Sequence, residues 1–300
     1  MKKNRTMLVI FLLPATICYL LIFLYPTIRS IIMSLFKVGS ATAKMADWTF
    51  IGLGNYQKLV NATSFVTSMK NIGKIWLIGG IGVMAIALLF AVILTSGIKF
   101  KSFYRAMIYL PNVISAVAMG NIWLNFVYDA KQGLLTKFFR AIGLETLAKV
   151  QWTGKHVFWA MLIAYCFGMV GYHMLIFLSG IERIPEDYYE AATIDGANKF
   201  RQFTSITLPL LKGVFRTNMV MWTVSTTAFF VWSQIFSPNV LKSGTMSPIQ
   251  YLYVSVFGGS TSVLEVNAGL GAAVGVLMAL CVLVVFAITS VIFKEKDLEF

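Results

Sequence analysis

The stretch VFWAMLIAYCFGMVGYHMLIFLSG, Val157–Gly180, is 24 residues without an aspartate, glutamate, lysine or arginine. Wound as a helix at about 1.5 Å per residue, a run of this length crosses a hydrocarbon core of about 30 Å. Amides inside lipid must find partners within their own segment, so such a run is helical. The surrounding chain agrees: 58% of its 300 residues are hydrophobic and 12% charged, with a mean hydropathy of +0.77. Working outward, runs of span length recur at 7–28, 75–95, 107–128, 213–236 and 268–293. Nothing alternates as an outer-membrane strand does. The sequence predicts an all-α polytopic membrane protein, a single domain over residues 1–300 with six transmembrane helices.

The first run follows the basic start Met1-Lys2-Lys3-Asn4-Arg5, and Ala41-Thr42-Ala43 resembles a signal-cleavage site. Its apolar core, about nineteen residues, exceeds the ~7–15 of a secretory signal, and the small-residue site lies far beyond it. An uncleaved first helix is expected. Cys18, Cys166 and Cys281 each fall inside a span and read as packing residues. His156 and His173 make no site by themselves. The net charge of +13 fits basic loops beside anionic headgroups rather than nucleic acid.

With the N-terminus inside, segments 1–6, 96–106, 181–216 and 294–300 carry thirteen of the 25 Lys/Arg in about sixty residues. The outer segments carry twelve in about one hundred residues, so the density favours both termini in the cytoplasm. The outer loop 129–155 is itself lysine-bearing and pulls the other way. Lys294, Glu295, Lys296 and Asp297 read as a solvated tail.

The span interiors lack Asp, Glu, Lys and Arg, and His173 is the only histidine in a span. Ion-driven carriers ordinarily hold their driving ion on intramembrane acids or broken helices. Catalysis in the bilayer needs a nucleophile–base pair or a metal cluster, and neither constellation is present. There is no G-x-x-x-x-G-K-[ST] phosphate loop. The chain reads as a non-enzyme; work done through it draws on another polypeptide.

Between the fourth and fifth spans, segment 181–212 breaks the pattern. Five of the chain's twelve acids, Glu182, Glu186, Asp187, Glu190 and Asp195, fall within it. Pro185 suits the first helical position, followed by two acids where a helix start favours anions. Gly196 suits a left-handed helix terminus and Asn198 the cap of a second helix. Phe200, Phe203 and Thr207 share a face, and Leu208-Pro209 closes the second helix. Ala191 and Ala192 leave a low surface beside Glu190, fit for insertion into a partner's cleft. An ordinary amphipathic helix lying on the membrane is the competing reading.

The pattern Glu190-Ala191-Ala192, Gly196-Ala197, Ile206 and Leu208-Pro209 resembles the EAA loop of ABC-importer permeases. Leu12–Phe36, Phe50–Val60 (FIGLGNYQKLV) and Phe103–Thr136 resemble carbohydrate-uptake permeases of the maltose and multiple-sugar type, closest to the first of their two permeases. The resemblance implies a helical bundle that pairs with a second, similar permease around a central pathway. It implies two cytoplasmic ATPase subunits holding ATP and magnesium, with no cofactor on this chain. It implies a solute-binding protein outside and a sugar or oligosaccharide as cargo. The EAA-loop residues would then couple to the ATPases.

A releasable sugar site wants aromatic rings and neutral hydrogen-bonding groups. Asn218, Trp222, Ser225, Thr226 and Phe229 fall on one helical face of the fifth run. Tyr165, Gly168 and Tyr172 share a face of the fourth, with His173 adjacent, and Asn121 and Asn125 form an i, i+4 pair in the third. Helix–helix packing explains the same residues. The resemblance singles out Tyr172 and the Trp222–Phe229 face, with Tyr172 and Trp222 stacking on sugar. The loop 29–74, with Trp48, Asn55 and Tyr56, either caps the bundle or docks the binding protein. A stand-alone secondary carrier, a passive channel and a membrane scaffold remain the alternatives.

Overall fold

A computed structural model of the chain describes residues 5–238, 240–259 and 265–293. Residues 1–4 of the basic start and the charged end at 294–300 lie outside the described residues. The described residues are mostly helical, and the one ribbon among them pairs Phe36–Lys37 with Thr49–Phe50.

Among the described residues, four helices are long and apolar enough to cross a membrane: α1 (Val9–Met33), α3 (Thr63–Thr95), α8 (Val157–Ile181) and α14 (Ala268–Ile292). A short helix α2 (Gly54–Asn61) separates the first two. The run at 107–128, expected as one span, is two helices, α4 (Lys101–Val113) and α5 (Ala116–Val127), bent by 96°. Pro111 interrupts the α4 ladder, Ile114 is extended at ψ 133°, and Ser115 Oγ caps α5 by accepting from Ala118 N at 3.3 Å. Then come α6 (Leu134–Ala141) and α7 (Glu145–Ala148), on a loop.

The run at 213–236 is also divided, into α11 (Lys212–Thr227) and α12 (Val231–Phe236). Thr226 and Thr227 turn their hydroxyls back onto carbonyls three or four residues earlier, and Ser247 Oγ donates to the freed Phe229 carbonyl at 2.6 Å. In α3 the helix starts well before the predicted 75, because its polar residues find partners. Asn71 Nδ2 donates to the Ser243 and Met246 carbonyls at 2.8 and 3.0 Å, and Lys74 lies over the Phe158 ring.

The core forms around α8, whose Met161, Tyr165, Met174, Phe177 and Leu178 are buried with Trp222 of α11 and Val83, Ala87 and Ala91 of α3. A second cluster joins Leu59, Phe65 and Val274 to Tyr251 of α13 (Pro248–Phe257). Segment 29–61 caps this end of the bundle. Asn55 Nδ2 donates to the Ser34 and Phe36 carbonyls, both at 2.8 Å, and Asn267 Nδ2 reaches Asn55 Oδ1 at 3.3 Å. Ser34 and Tyr56 share a hydrogen bond at 2.7 Å. The upper part of α1 stands apart, with Val9, Phe11, Leu21 and Phe23 all exposed.

Among the described residues, four π turns interrupt the helices, at Tyr19–Leu24, Ile75–Gly79, Trp123–Val127 and Phe203–Thr207.

Candidate functional site

The polar segment folds as a tight elbow. α9 (Asp187–Ile194) starts two residues after Pro185 and carries Glu190, Ala191 and Ala192. Its end is closed twice: Gly196 N donates to Thr193 O at 3.0 Å, and Ala197 N donates to Ala192 O at 2.8 Å. Gly196 sits at φ +78°, the left-handed conformation this closure requires. Asn198 Oδ1 then accepts from Arg201 N at 2.9 Å and caps the next helix.

That helix, α10 (199–210), runs Lys199–Gln202, a π turn at Phe203–Thr207, and Leu208–Leu210. Leu208-Pro209 does not close it. The wider turn accommodates the proline, and Leu211 N still bonds Thr207 O at 3.1 Å, so the chain passes almost directly into α11. Phe200 also departs from its predicted face. It is 75% exposed, while Gln202 and Thr207 turn inward.

Gln202 is the residue that sequence reasoning passed over. It is buried, and its Nε2 donates to Thr193 Oγ1 at 2.9 Å and to the Ala197 carbonyl at 3.2 Å. Tyr189 and Thr207 share a hydroxyl hydrogen bond at 2.9 Å. These contacts fix α9 against α10 and leave Glu190, Ala191 and Ile194 outside, Ile194 at 87% exposure. Ile206 is half-buried; Leu208 and Pro209 are exposed. Behind the elbow, a cleft of about 1040 Å³ is walled by Glu186, Glu190 and Gln202 on one side and Thr95–Gly97 and Lys101 on the other. Lys101 Nζ reaches Glu182 Oε1 at 2.6 Å, tying the start of α4 to the end of α8.

The residues proposed to meet a solute divide into two groups. Asn218, Trp222, Thr226 and Phe229 are buried within this chain. Trp222 is enclosed by Gly79, Gly80, Tyr165 and His173, which leaves no ring face open. Asn218 Oδ1 lies 2.7 Å from His173 Nδ1, so a neutral ring carries its hydrogen there and leaves Nε2 buried without a partner. Ser225 is half-buried. Tyr172, by contrast, opens into a cavity of about 490 Å³ with Tyr109, Ser179, Arg183 and Thr217. Asn121 and Asn125 do not face the interior of this chain. They are exposed on α5, and each donates Nδ2 to the carbonyl four residues earlier.

Residues 83–296 match the family model described as binding-protein-dependent transport system inner membrane component. The chain is 28% identical to the arabinooligosaccharides transport system permease protein of Halalkalibacterium halodurans, over 95% of this chain and 87% of that one. It is 28% identical to the diacetylchitobiose uptake system permease protein of Streptomyces coelicolor, over 82% of this chain and 71% of that one. In fold it resembles a chain of a bacterial ABC transporter that imports the acidic polysaccharide alginate. The TM-score is 0.79 at 19% identity, covering 98% and 97% of the two chains. A chain of an alginate transporter in complex with its pentasaccharide-bound periplasmic protein gives 0.76 at 20% identity, over 97% of this chain and 95% of that one.

Proposed function

The chain belongs to the binding-protein-dependent transport system inner membrane component family, and from that premise we propose that it is one of two permeases of an ATP-driven importer for a sugar or oligosaccharide. The elbow carries this reading. A rigid, doubly closed turn leaves Glu190, Ala191 and the apolar Ile194 and Phe200 exposed, as a coupling knob for a soluble ATPase must be. Glu190, Ala191, Ala192, Gly196 and Ala197 form the knob. Ile206, Leu208 and Pro209 lead from it into α11, the helix that packs Trp222 against α3. A push on the elbow is therefore delivered to the centre of the bundle.

The sequence has no phosphate loop and no acidic residue within a span interior, so ATP and magnesium belong to the partner subunits. The exposed upper part of α1 and the exposed Asn121 and Asn125 suit a surface completed by a second permease. In this reading six membrane passes result when the bent α4–α5 pair and the divided α11–α12 pair each count once, with both termini cytoplasmic. Tyr172, with Ser179 and Thr217, is the side chain placed to meet a sugar; Trp222, Asn218, Thr226 and Phe229 hold the helices that carry it.

Purification with its neighbours tests the reading. The expected result is a stoichiometric complex with a second permease and two ATPase subunits, taking up sugar only when ATP and a solute-binding protein are supplied. Accumulation of sugar by the isolated chain in vesicles would establish a stand-alone carrier instead.

A further inference from the structure

The lysine-bearing loop 129–155 opposes the charge bias of the other loops, and the coupling reading does not account for it. It carries Lys131, Lys137, Arg140, Lys149 and Lys155 against Asp129 and Glu145. Lys137, Arg140 and Lys149 make no ion pair among the described residues. The Asp129 carboxylate is engaged by backbone amides, accepting from Gln132 N at 2.6 Å and Lys131 N at 2.9 Å. Those amides, Gln132 first, hold its pKa below the usual carboxylate range.

Helix α6 has two faces. Leu135 packs on the core and Thr136 is buried, its Oγ1 donating to the Asp129 carbonyl at 3.1 Å. Leu134, Phe138 and Ile142, at i, i+4 and i+8, form a stripe that is 63, 57 and 52% exposed. Lys137 and Arg140, both exposed, lie together on one side of that apolar stripe. The position of the helix is set by Tyr128, six residues before its start, whose hydroxyl donates to the Ala160 carbonyl in the first turn of α8 at 2.8 Å. Tyr128 stacks on Trp152 with ring centroids 5.9 Å apart, and Trp159 is exposed nearby on α8. Tyrosine and tryptophan gather where a bilayer meets water. An exposed apolar stripe with cations beside it at that level is the pattern of a helix lying in the headgroup layer.

We propose that α6 is an interfacial anchor: Leu134, Phe138 and Ile142 enter the acyl boundary of the outer leaflet, and Lys137 and Arg140 bind anionic phospholipid headgroups there. This rests on the outward orientation of loop 129–155. Reaction of a Lys131→Cys variant with a membrane-impermeant thiol reagent in right-side-out vesicles reads that orientation separately; a cysteine reachable only from inside would overturn the outer placement.

The anchor itself is tested with a fluorophore on Phe138→Cys in the full complex, placed in nanodiscs of phosphatidylcholine with or without phosphatidylglycerol. The expected emission is blue-shifted and quenched by lipids brominated near the headgroup, more strongly by brominated phosphatidylglycerol. Neutralising both cations, Lys137→Gln with Arg140→Gln, lowers that preference roughly 30-fold, from about 1 kcal/mol for each cation beside an anionic surface. A water-exposed, unquenched label overturns the proposal. So does equal quenching by both lipids, or shielding that appears only when the solute-binding protein is added, which would make α6 a protein-docking face.

Discussion

Trp222 Nε1 donates to the Trp76 carbonyl at 2.9 Å, and Trp76 Nε1 donates to Thr223 Oγ1 at 2.9 Å. The two indoles thus bind α11 and α3 to each other in both directions. The Trp76 carbonyl belongs to the π turn at Ile75–Gly79 and also accepts from Gly80 N. Close approach is needed for this: a Cβ on Gly80 would stand 2.7 Å from Trp222 Nε1.

Two glycines of α3 therefore separate packing from propensity. Gly80→Ala is expected to destabilise the chain, by about 1–3 kcal/mol as an overpacked contact. Gly82→Ala, whose Cβ meets nothing within 4 Å, should be neutral or stabilise by up to about 1 kcal/mol through helix propensity. Unfolding of both variants in mixed detergent measures the difference; equal stabilities would dissolve the claimed interlock.

Gly196 has open space around its Cβ position, so substitution there acts through the backbone alone. Gly196→Val forces a branched residue to φ +78° at a cost of at least about 1–2 kcal/mol, and should uncouple ATP hydrolysis from uptake. Gly196→Asn, which tolerates the left-handed region, should retain most of the coupling. Uptake assays on the two variants decide; indifference to valine would remove the elbow from the mechanism.

Gln202→Leu leaves the Ala197 carbonyl without its side-chain donor and costs about 1–3 kcal/mol locally. Hydrogen exchange over residues 187–198 should accelerate while the core of α8 keeps its protection. An unchanged exchange pattern would mean that the elbow is held by something other than Gln202.

Tyr172 and Trp222 should part company in kinetics. Tyr172→Ala is expected to leave assembly intact and raise the KM for sugar roughly tenfold, the loss of about 1.4 kcal/mol of ring contact. Trp222→Ala removes a fully buried ring at a cost of about 3–5 kcal/mol and should reduce the amount of assembled complex instead. A normal KM in the first variant would close the case for Tyr172 as a solute contact.

What the sequence disclosed and what it withheld follow from the range of the forces involved. The Gly196 terminus and the Asn198 cap were legible because each depends on one residue and its near neighbours. The ends of α8 and α14 were legible because unbroken apolar runs set them. The break after Thr227 and the early start of α3 were not, because they depend on distant partners: Ser247 for the Phe229 carbonyl, Ser243 and Met246 for Asn71. Pro111 and Pro209 behave differently for the same reason. One precedes a sharp bend whose ends are bonded elsewhere, and the other is absorbed by a widened turn. Amphipathic spacing found the Trp222 stripe but cannot distinguish a face that meets solute from one that meets another helix. Gln202 gave no signal, since a single glutamine among charged neighbours looks solvated.

Each π turn stores one residue more than an ordinary helical turn, so the helix beyond it is rotated by about 100° relative to an uninterrupted rod. Beside the indole pair in α3, and again between the elbow and α11, the rod beyond the turn therefore presents a different face from the one an unbroken helix would show.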